Sequence, residues 1–307
     1  NLSSKTFPIT VSFAEVGVDT SQSILLDTLS YAEYAPSTLL PLSDYYLLLT
    51  NADTGEVIFQ SESIPLAYSI EYALIIRDSY GPSTSKLSVD VIGNSTTPAN
   101  YDDLDALAQF RVINAENDLN NLAVQVNGKT PLELTNLLGH EASQYQQVEF
   151  GDYQLNALDN NGELLVANQL LTLNQNDSKT LIFYRDKNNE LTALNFQQQV
   201  LPSSFEHQVH AINLIDDYDN VKLFFVQDDE IIESSSQYLP TLTFSDVKTI
   251  TLNQNNVSIY LVNEDNNEQQ TLLARLDNVD LSELSHFILI ADEHPDVLGN
   301  YILTLIE

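Results

Sequence analysis

Apolar and polar residues alternate along much of the chain, and this pattern predicts β-strands. At 122–127 the apolar residues Leu122, Val124 and Val126 alternate with more polar neighbours, and the run 153–158 alternates in the same way. Successive side chains of a strand point to opposite faces of its sheet, so a period of two is typical of half-buried strands. The chain is therefore predicted to form many short strands.

Turn residues separate these strands at regular places. Asn127-Gly128, Asn160-Asn161-Gly162 and Asp53-Thr54-Gly55 each stand between two alternating runs. Gly adopts a positive φ at little cost and Asn tolerates it, so such sequences favour tight turns. We expect a β-hairpin at each of them.

Three denser apolar segments lie near 72–76, 180–184 and 286–290. In these segments both the odd and the even positions are apolar, unlike in the alternating strands. That pattern predicts central strands whose two faces are both buried.

The strand pattern recurs three times along the chain. The residues 110–115 and 122–126 return, without gaps, 99 positions later, and Asn114 keeps its place as Asn213. A shift of 108 relates the first copy to the second, and a shift of 106 carries Asp186 to Asp292. A fixed period near one hundred residues indicates tandem copies of one unit.

The fold class predicted from this pattern is all-β, with three tandem immunoglobulin-like antiparallel β-sandwich domains at 1–100, 101–200 and 201–307. Linkers are expected at 93–100 and 197–204, where the composition loosens. A helical turn is expected only in short segments such as 277–285.

The second copy resembles the bacterial family called domain of unknown function 4397. The resemblance lies in Val-Ile-Asn-Ala at 112–115, Val-Asn-Gly at 126–128, Gly-Asp-Tyr at 151–153 and Leu-Thr-Leu at 171–173. It implies an exported or lipid-anchored protein that carries the domain in tandem. It implies no activity and no functional residues.

The net charge of the chain disfavours some classes of binding partner. Eleven Lys and Arg stand against 44 Asp and Glu, giving a net charge of −33. Such a surface repels phosphate backbones and anionic lipids, so we expect no nucleic-acid partner and no direct membrane insertion by this segment. It suits solubility, loose association with divalent cations or a cationic partner.

The chain has no Cys and no Met, which excludes disulfides and thiol chemistry. We expect a signal or anchor to have been removed upstream, and a periplasmic, cell-surface lipoprotein or extracellular location.

Acidic and histidine clusters are the first candidates for chemistry. The acidic stretches are 216–220, 228–230 and 264–268. Calcium takes six to eight oxygen ligands, and none of these stretches has the spacing of a dedicated calcium loop, so solvated loops are the main interpretation and weak calcium binding the alternative. His207 and His210 are three apart and face opposite sides of a strand, so they are not a natural chelate. His140 corresponds to Ala32 in the first copy, so it marks no repeated site.

Arg77-Asp78 recurs as Arg185-Asp186 at the end of two dense segments. A strand-end ion pair that holds a loop is the main interpretation, and binding of an anionic ligand by the arginine is the alternative.

The aromatic residues Tyr45, Tyr153 and Phe183 are expected in the core. The chain lacks Trp, the strongest platform for stacking sugars, and this disfavours carbohydrate binding.

No motif of a nucleophile elbow, a phosphate loop or a zinc protease occurs in the sequence. We assign no catalytic, cofactor-binding or metal-ligating residues. The sequence is interpreted as a non-enzymatic exported protein of the cell envelope that acts as a structural, adhesive or protein-binding module. Its partner is then another envelope or extracellular protein. A ligand-binding protein for carbohydrate or calcium is the alternative, and an enzyme with a site between domains is a more distant one. Exposed strand edges or apolar patches would favour the binding module, and one enclosed polar pocket would favour the ligand binder.

Overall fold

The protein is seen in a computed structural model, which describes residues 1–79, 81–94, 97–198, 207–218, 220–227, 230–253, 256–264, 269–281, 286–294, 297 and 299–306. Within these ranges nearly all regular structure is β-strand, with short 3₁₀ turns at Thr20–Gln22 and Ile232–Ser234. The all-β fold predicted from the alternation is confirmed. In the described part of the chain no helix is both long and apolar enough to cross a membrane.

Twenty-five strands follow one another along the described residues. Those of the first copy are β1 (Ile9–Glu15), β2 (Ile24–Leu29), β3 (Ser43–Asn51), β4 (Val57–Gln60), β5 (Ile64–Leu66), β6 (Ala73–Asp78), β7 (Leu87–Ile92) and β8 (Ala99–Asp102). Those of the second are β9 (Ala108–Asn114), β10 (Leu122–Asn127), β11 (Leu132–Leu137), β12 (Glu141–Ala142), β13 (Gln146–Val148), β14 (Gly151–Leu158), β15 (Leu164–Leu173), β16 (Ser178–Arg185) and β17 (Leu191–Gln197). Those of the third are β18 (His207–Asn213), β19 (Asn220–Val226), β20 (Tyr238–Thr243), β21 (Val247–Leu252), β22 (Asn256–Glu264), β23 (Gln270–Asp280), β24 (His286–Glu293) and β25 (Tyr301–Ile306).

One sheet has the same strand order in every copy. The orders are β2–β1–β3–β4, β11–β10–β14–β15 and β20–β19–β22–β23. The facing sheets are β6–β7–β8, β12–β9–β16–β17 and β21–β18–β24–β25. β18 and β24 run parallel, from Gln208 beside His286 to Asn213 beside Ala291, so this sheet is not wholly antiparallel.

Apolar side chains from the two facing sheets form the cores of the first and third sandwiches. In the first, Phe13, Tyr45 and Leu47 from one sheet pack with Leu87 and Val89 from the other. In the third, the core between the sheets holds Leu223, Phe225, Ile259, Phe287 and Leu289 among others. The burial expected for Tyr45, Tyr153 and Phe183 is confirmed, since each is at most 1% exposed.

A repeated asparagine explains why the three copies share one plan. The Nδ2 group of Asn1, Asn114 and Asn213 donates to the carbonyl of Leu29, Leu137 and Leu242, respectively. In each copy the Oδ1 atom accepts from the backbone N–H two residues later. The backbone carbonyl of each asparagine also accepts from a residue at positive φ, namely Ala32, His140 and Ser245. One side chain thus closes the same loop three times.

The three predicted hairpins are confirmed, but their glycines serve different purposes. Gly55 and Gly162 have φ of +75° and +80°, as the turn argument requires. Gly128 instead lies where a Cβ atom would stand 2.5 Å from the ring of Tyr153. Close packing, and not a left-handed backbone, requires glycine at that position.

Two local predictions differ from the structure. A helical turn was expected within 277–285. Residues 277–280 are not helical, because they belong to β23 and pair with β22, with Asp280 beside Asn256, and 282–285 lie outside the described residues. Its mixture of polar residues and Val279 is accommodated by a bulge and by Asn278 at φ 53°. The predicted linker 93–100 contains the start of β8, which returns antiparallel to β7. In the other predicted linker, Gln197 ends β17, and 199–204 lie outside the described residues.

The chain forms two compact units. The first comprises Asn1–Gln109, Gln147–Phe150 and Leu173–Ser178, and the second comprises Phe110–Gln146, Gly151–Thr172 and Lys179–Glu307. The division into three domains at 100 and 200 stays a prediction.

Within the second unit, the second and third copies pack against each other through a further apolar core. It combines Ile113, Ile182 and Tyr184 with Ile212, Leu214, Ile288, Ile290 and Ile306. We call this cluster the seam. It covers the outer faces of β16 and β24, and the prediction that these two strands are buried on both faces is confirmed. The equivalent β6 differs, since Leu74 and Ile75 are only half-buried.

Candidate functional site

The acidic stretch at 216–220 comes together with a residue that the sequence did not single out. Carboxylate oxygens of Asp216, Asp217 and Glu293 lie within 4.8 Å of one another on the surface. The Tyr301 hydroxyl donates to Asp217 over 2.8 Å. Asp219, Asp228, Asp229 and 265–268 lie outside the described residues, and Glu264 pairs with Lys222 at 2.7 Å. Three exposed carboxylates supply only part of a calcium shell, so calcium binding stays a prediction.

Beside these carboxylates, His140 meets Asp292 at one end of the seam. Their Nε2 and Oδ2 atoms are 3.6 Å apart, and both side chains are mostly buried. Burial, with Glu116, Glu293 and Asp216 nearby, raises the pKa of Asp292 to about 7. Burial lowers the pKa of His140. The contact joins side chains from two copies of the fold.

His207 and His210 are buried and do not form a chelate. His207 packs its ring 6.3 Å from that of Phe287. His210 faces the other side, with Nδ1 3.0 Å from Thr249 Oγ1 and its ring 5.1 Å from that of Phe196. Burial, with His286 and Arg111 nearby, lowers the pKa of His210 to about 4. The side chain is therefore a neutral part of the packing at neutral pH.

Each repeated arginine pairs with a carboxylate, but not with the aspartate next to it. Arg77 binds Asp90 through Nε at 2.7 Å, and Arg185 binds Glu116 through Nε at 3.0 Å. Asp78 instead accepts from Ser3 Oγ at 2.8 Å. These contacts are those of a strand-end ion pair.

An open cavity of about 320 Å³ lies where residues ahead of β1 approach the connection between β6 and β7, and it is lined by Ser4, Lys5, Asp78, Ser79 and Lys86. Lys86 donates to the carbonyl of Gly81 over 2.6 Å. Among the described residues no aromatic ring lines this cavity, and the neighbouring Tyr80 lies outside them.

Exposed aromatic and aliphatic side chains gather on two loops of the first unit. We call residues 30–42, between β2 and β3, and residues 67–72, between β5 and β6, the tyrosine loops. Tyr34 is 89% exposed, Tyr68 72% and Tyr31 63%. The loops also expose Leu39, Leu42 and Ile70.

Hydrogen bonds hold the tyrosine loops beside each other. The strands that carry them pair where the first loop ends and the second begins, with Ser43 of β3 beside Leu66 of β5. Ser37 Oγ donates to Glu71 over 3.2 Å, joining one loop to the other. The Tyr45 hydroxyl, whose ring lies in the core, donates to the carbonyl of Pro41 over 2.9 Å. The six exposed side chains therefore lie on anchored loops at one edge of the sandwich.

The sequence reasoning found Asp216, Asp217 and His140 but missed Asp292, Glu293 and the tyrosine loops. The equivalence of Asp186 and Asp292 was visible, and it marks the strand end where the seam begins. For the loops, the signal was a run of apolar residues interrupted by Pro36 and Pro41, because proline is rare in the interior of a sheet.

The polar clusters of this molecule fall at the seam, and its exposed aromatic surface falls on the tyrosine loops. Both arrangements are compatible with a protein that binds through its surface. Comparison with protein-family models and with curated proteins found no match.

Proposed function

We propose that the chain is a non-enzymatic, exported protein of the cell envelope whose sandwiches serve as a protein-binding module. The observation that carries this proposal is the exposure of three tyrosines and three aliphatic side chains on the tyrosine loops. Single exposed apolar residues are ordinary on protein surfaces, whereas a group of large ones indicates an interaction site.

The composition of the tyrosine loops supports this function. Surfaces that bind proteins through loops are rich in Tyr and Ser, because Tyr offers a large contact area at a small cost in conformational entropy. Residues 30–42 and 67–72 hold six tyrosine and serine positions among their exposed residues, namely Ser30, Tyr31, Tyr34, Ser37, Tyr68 and Ser69. The resemblance to domain of unknown function 4397 adds the expectation of export.

The test is capture of partners from an envelope extract with the immobilised full chain. A Tyr31→Ser, Tyr34→Ser, Tyr68→Ser variant should lose proteins that the wild type retains. A control with Leu164→Ser, Leu170→Ser and Leu272→Ser removes three other exposed side chains, which are 54%, 60% and 53% exposed, and should retain them. Equal capture by all three proteins would reject the tyrosine loops as the binding site.

The alternative of calcium binding has one observation in its favour, the approach of Asp216, Asp217 and Glu293. A site that binds only the folded protein must raise the melting temperature as calcium is added. A melting temperature that is the same in millimolar calcium and in chelator would remove this alternative. Titration with neutral sugars tests the carbohydrate alternative in the same assay.

A further inference from the structure

Charge around the tyrosine loops restricts what they can bind. From residue 6 to residue 76 the sequence contains no Lys, Arg or His, while nine Asp and Glu occur there. Two of the nine, Glu33 and Glu71, stand within the loops themselves. The loops that carry the exposed rings thus hold two carboxylates and no basic side chain.

This chain already places cations over aromatic rings elsewhere. The Arg275 guanidinium carbon lies 4.8 Å from the ring centre of Tyr260, and that of Arg111 lies 5.0 Å from the ring centre of Tyr145. A tyrosine face attracts Lys and Arg, and the attraction increases when water is excluded. Tyr31, Tyr34 and Tyr68 offer the same chemistry, and their side chains are 63–89% exposed.

We propose that the tyrosine loops bind a basic protein surface, with the rings of Tyr31, Tyr34 and Tyr68 covering Lys or Arg side chains and the nearby carboxylates complementing their charge. This inference rests on the proposed function and names its partner class. A second copy of the chain is disfavoured as the occupant, because each copy carries a charge of −33.

The experiment measures binding of the full chain to a fluorescent peptide of roughly twenty residues built from Arg-Gly-Ser repeats, in about 0.15 M NaCl, where exposed charges more than about 8 Å apart are largely screened. The matched peptide replaces each Arg by citrulline, which keeps the shape and removes the charge. Wild-type protein should bind the Arg peptide and not the citrulline peptide.

Three protein variants separate the rings from the overall charge, and none of them changes that charge. The Tyr31→Ser, Tyr34→Ser, Tyr68→Ser variant should weaken binding by about tenfold or more. The corresponding triple Tyr→Phe variant keeps the ring faces and should bind within about threefold of wild type. The Leu164→Ser, Leu170→Ser, Leu272→Ser control should bind like wild type, and thermal melts establish that each variant is folded.

Two results would overturn the inference. Unchanged Arg-peptide binding by the triple Tyr→Ser variant would show that charge alone attracts the peptide, and equal binding of the citrulline peptide would show that no cation is recognised. Either result, combined with tyrosine-dependent capture from the envelope extract, would leave the proposed function standing and remove only the basic partner. Loss of tyrosine-dependent capture would remove the proposed function itself.

Discussion

At the scale of single residues, Asn213 shows how much of the fold depends on one amide. It is fully buried, and its Nδ2 group donates to the carbonyls of Tyr218 and Leu242 while Oδ1 accepts from the Ile215 N–H. Removing the side chain would leave these backbone groups buried without their partner.

We predict that Asn213→Ala lowers the free energy of unfolding by about 3 kcal/mol, since each buried unsatisfied group costs about 1–3 kcal/mol. Urea denaturation of the full chain measures this change. Asn220→Ala is the control, because Asn220 is exposed and accepts one bond from Thr243, and it should cost well under about 1 kcal/mol. Equal costs for the two variants would contradict the role given to Asn213.

His210 is expected to make stability depend on pH. Its pKa falls from 6.5 to about 4 in the folded protein, where Arg111, His286, Thr249 and Phe196 surround it. The unfolded chain binds the proton more readily, so this contribution is complete above pH 6.5 and is lost as the pH falls towards 4.

The His210→Gln variant cannot titrate at this position, so its melting temperature should fall less than that of wild type between pH 6.5 and pH 4. Melting curves recorded at several pH values give the difference between the two proteins. A difference that does not change across this range would show that His210 does not titrate as inferred.

At the scale of elements, β24 stabilises two cores at once. Leu289 points into the third sandwich and Ile288 into the seam, and both are fully buried. In β6, the equivalent strand of the first copy, Ile75 is only half-buried.

We predict that Ile288→Ala and Leu289→Ala each cost about 3 kcal/mol of unfolding free energy, because each leaves a cavity in a packed core. Ile75→Ala should cost about 1 kcal/mol, since less apolar surface is buried there. Denaturant titration of the three variants tests the order. A cost for Ile288→Ala as small as that for Ile75→Ala would mean that the seam contributes little to stability.

The burial of a strand could be predicted from sequence where the pattern of apolar residues within that strand was sufficient to indicate it. The dense apolar runs of β16 and β24 indicated burial on both faces, and Asn-Gly and Thr-Gly indicated their turns. The strand end at 277–280 was not predictable, because pairing with β22 and a bulge override its polar composition. The contact of His140 with Asp292 could not be predicted either, since it requires two copies, 152 residues apart in sequence at these positions, to pack face to face.

At the scale of the whole molecule, Asp292 is buried beside the seam, and its ionised form destabilises the folded protein because burial disfavours the charge. The pKa of Asp292 is raised from 3.8 to about 7, so its contribution to stability is present below pH 3.8 and is lost as the pH rises through 7. Asp186, the equivalent residue of the second copy, is only half-buried and accepts hydrogen bonds from the N–H groups of Glu190 and Asn188, which lower its pKa.

We predict that Asp292→Asn raises the melting temperature relative to wild type at pH 8, and that the gain shrinks towards pH 4. Asp186→Asn is the matched control and should not stabilise the protein at pH 8, because the ionised carboxylate is the better acceptor. Calorimetry of both variants and of wild type at pH 8 and pH 4 measures these melting temperatures. A gain for Asp292→Asn that is equal at both pH values would contradict the buried charge.

The net charge of −33 should also make the molecule sensitive to salt. Self-repulsion destabilises a compact state and is screened by ions, so the melting temperature should rise with NaCl and level off near about 0.5 M. A melting temperature independent of NaCl would show that the carboxylates are already well separated or paired.

The path of the chain through the two compact units limits how the protein can be divided. The first unit includes Gln147–Phe150 and Leu173–Ser178, although the chain enters the second unit at Phe110. Within the first unit, the Asn176 N–H donates to the carbonyl of Leu107, and the Gln109 N–H donates to the carbonyl of Asp177. A fragment that stops at residue 109 would lack both later segments and the backbone hydrogen bonds that they make. No single proteolytic cut can therefore release the first unit whole, and expression of isolated thirds is expected to give incomplete domains.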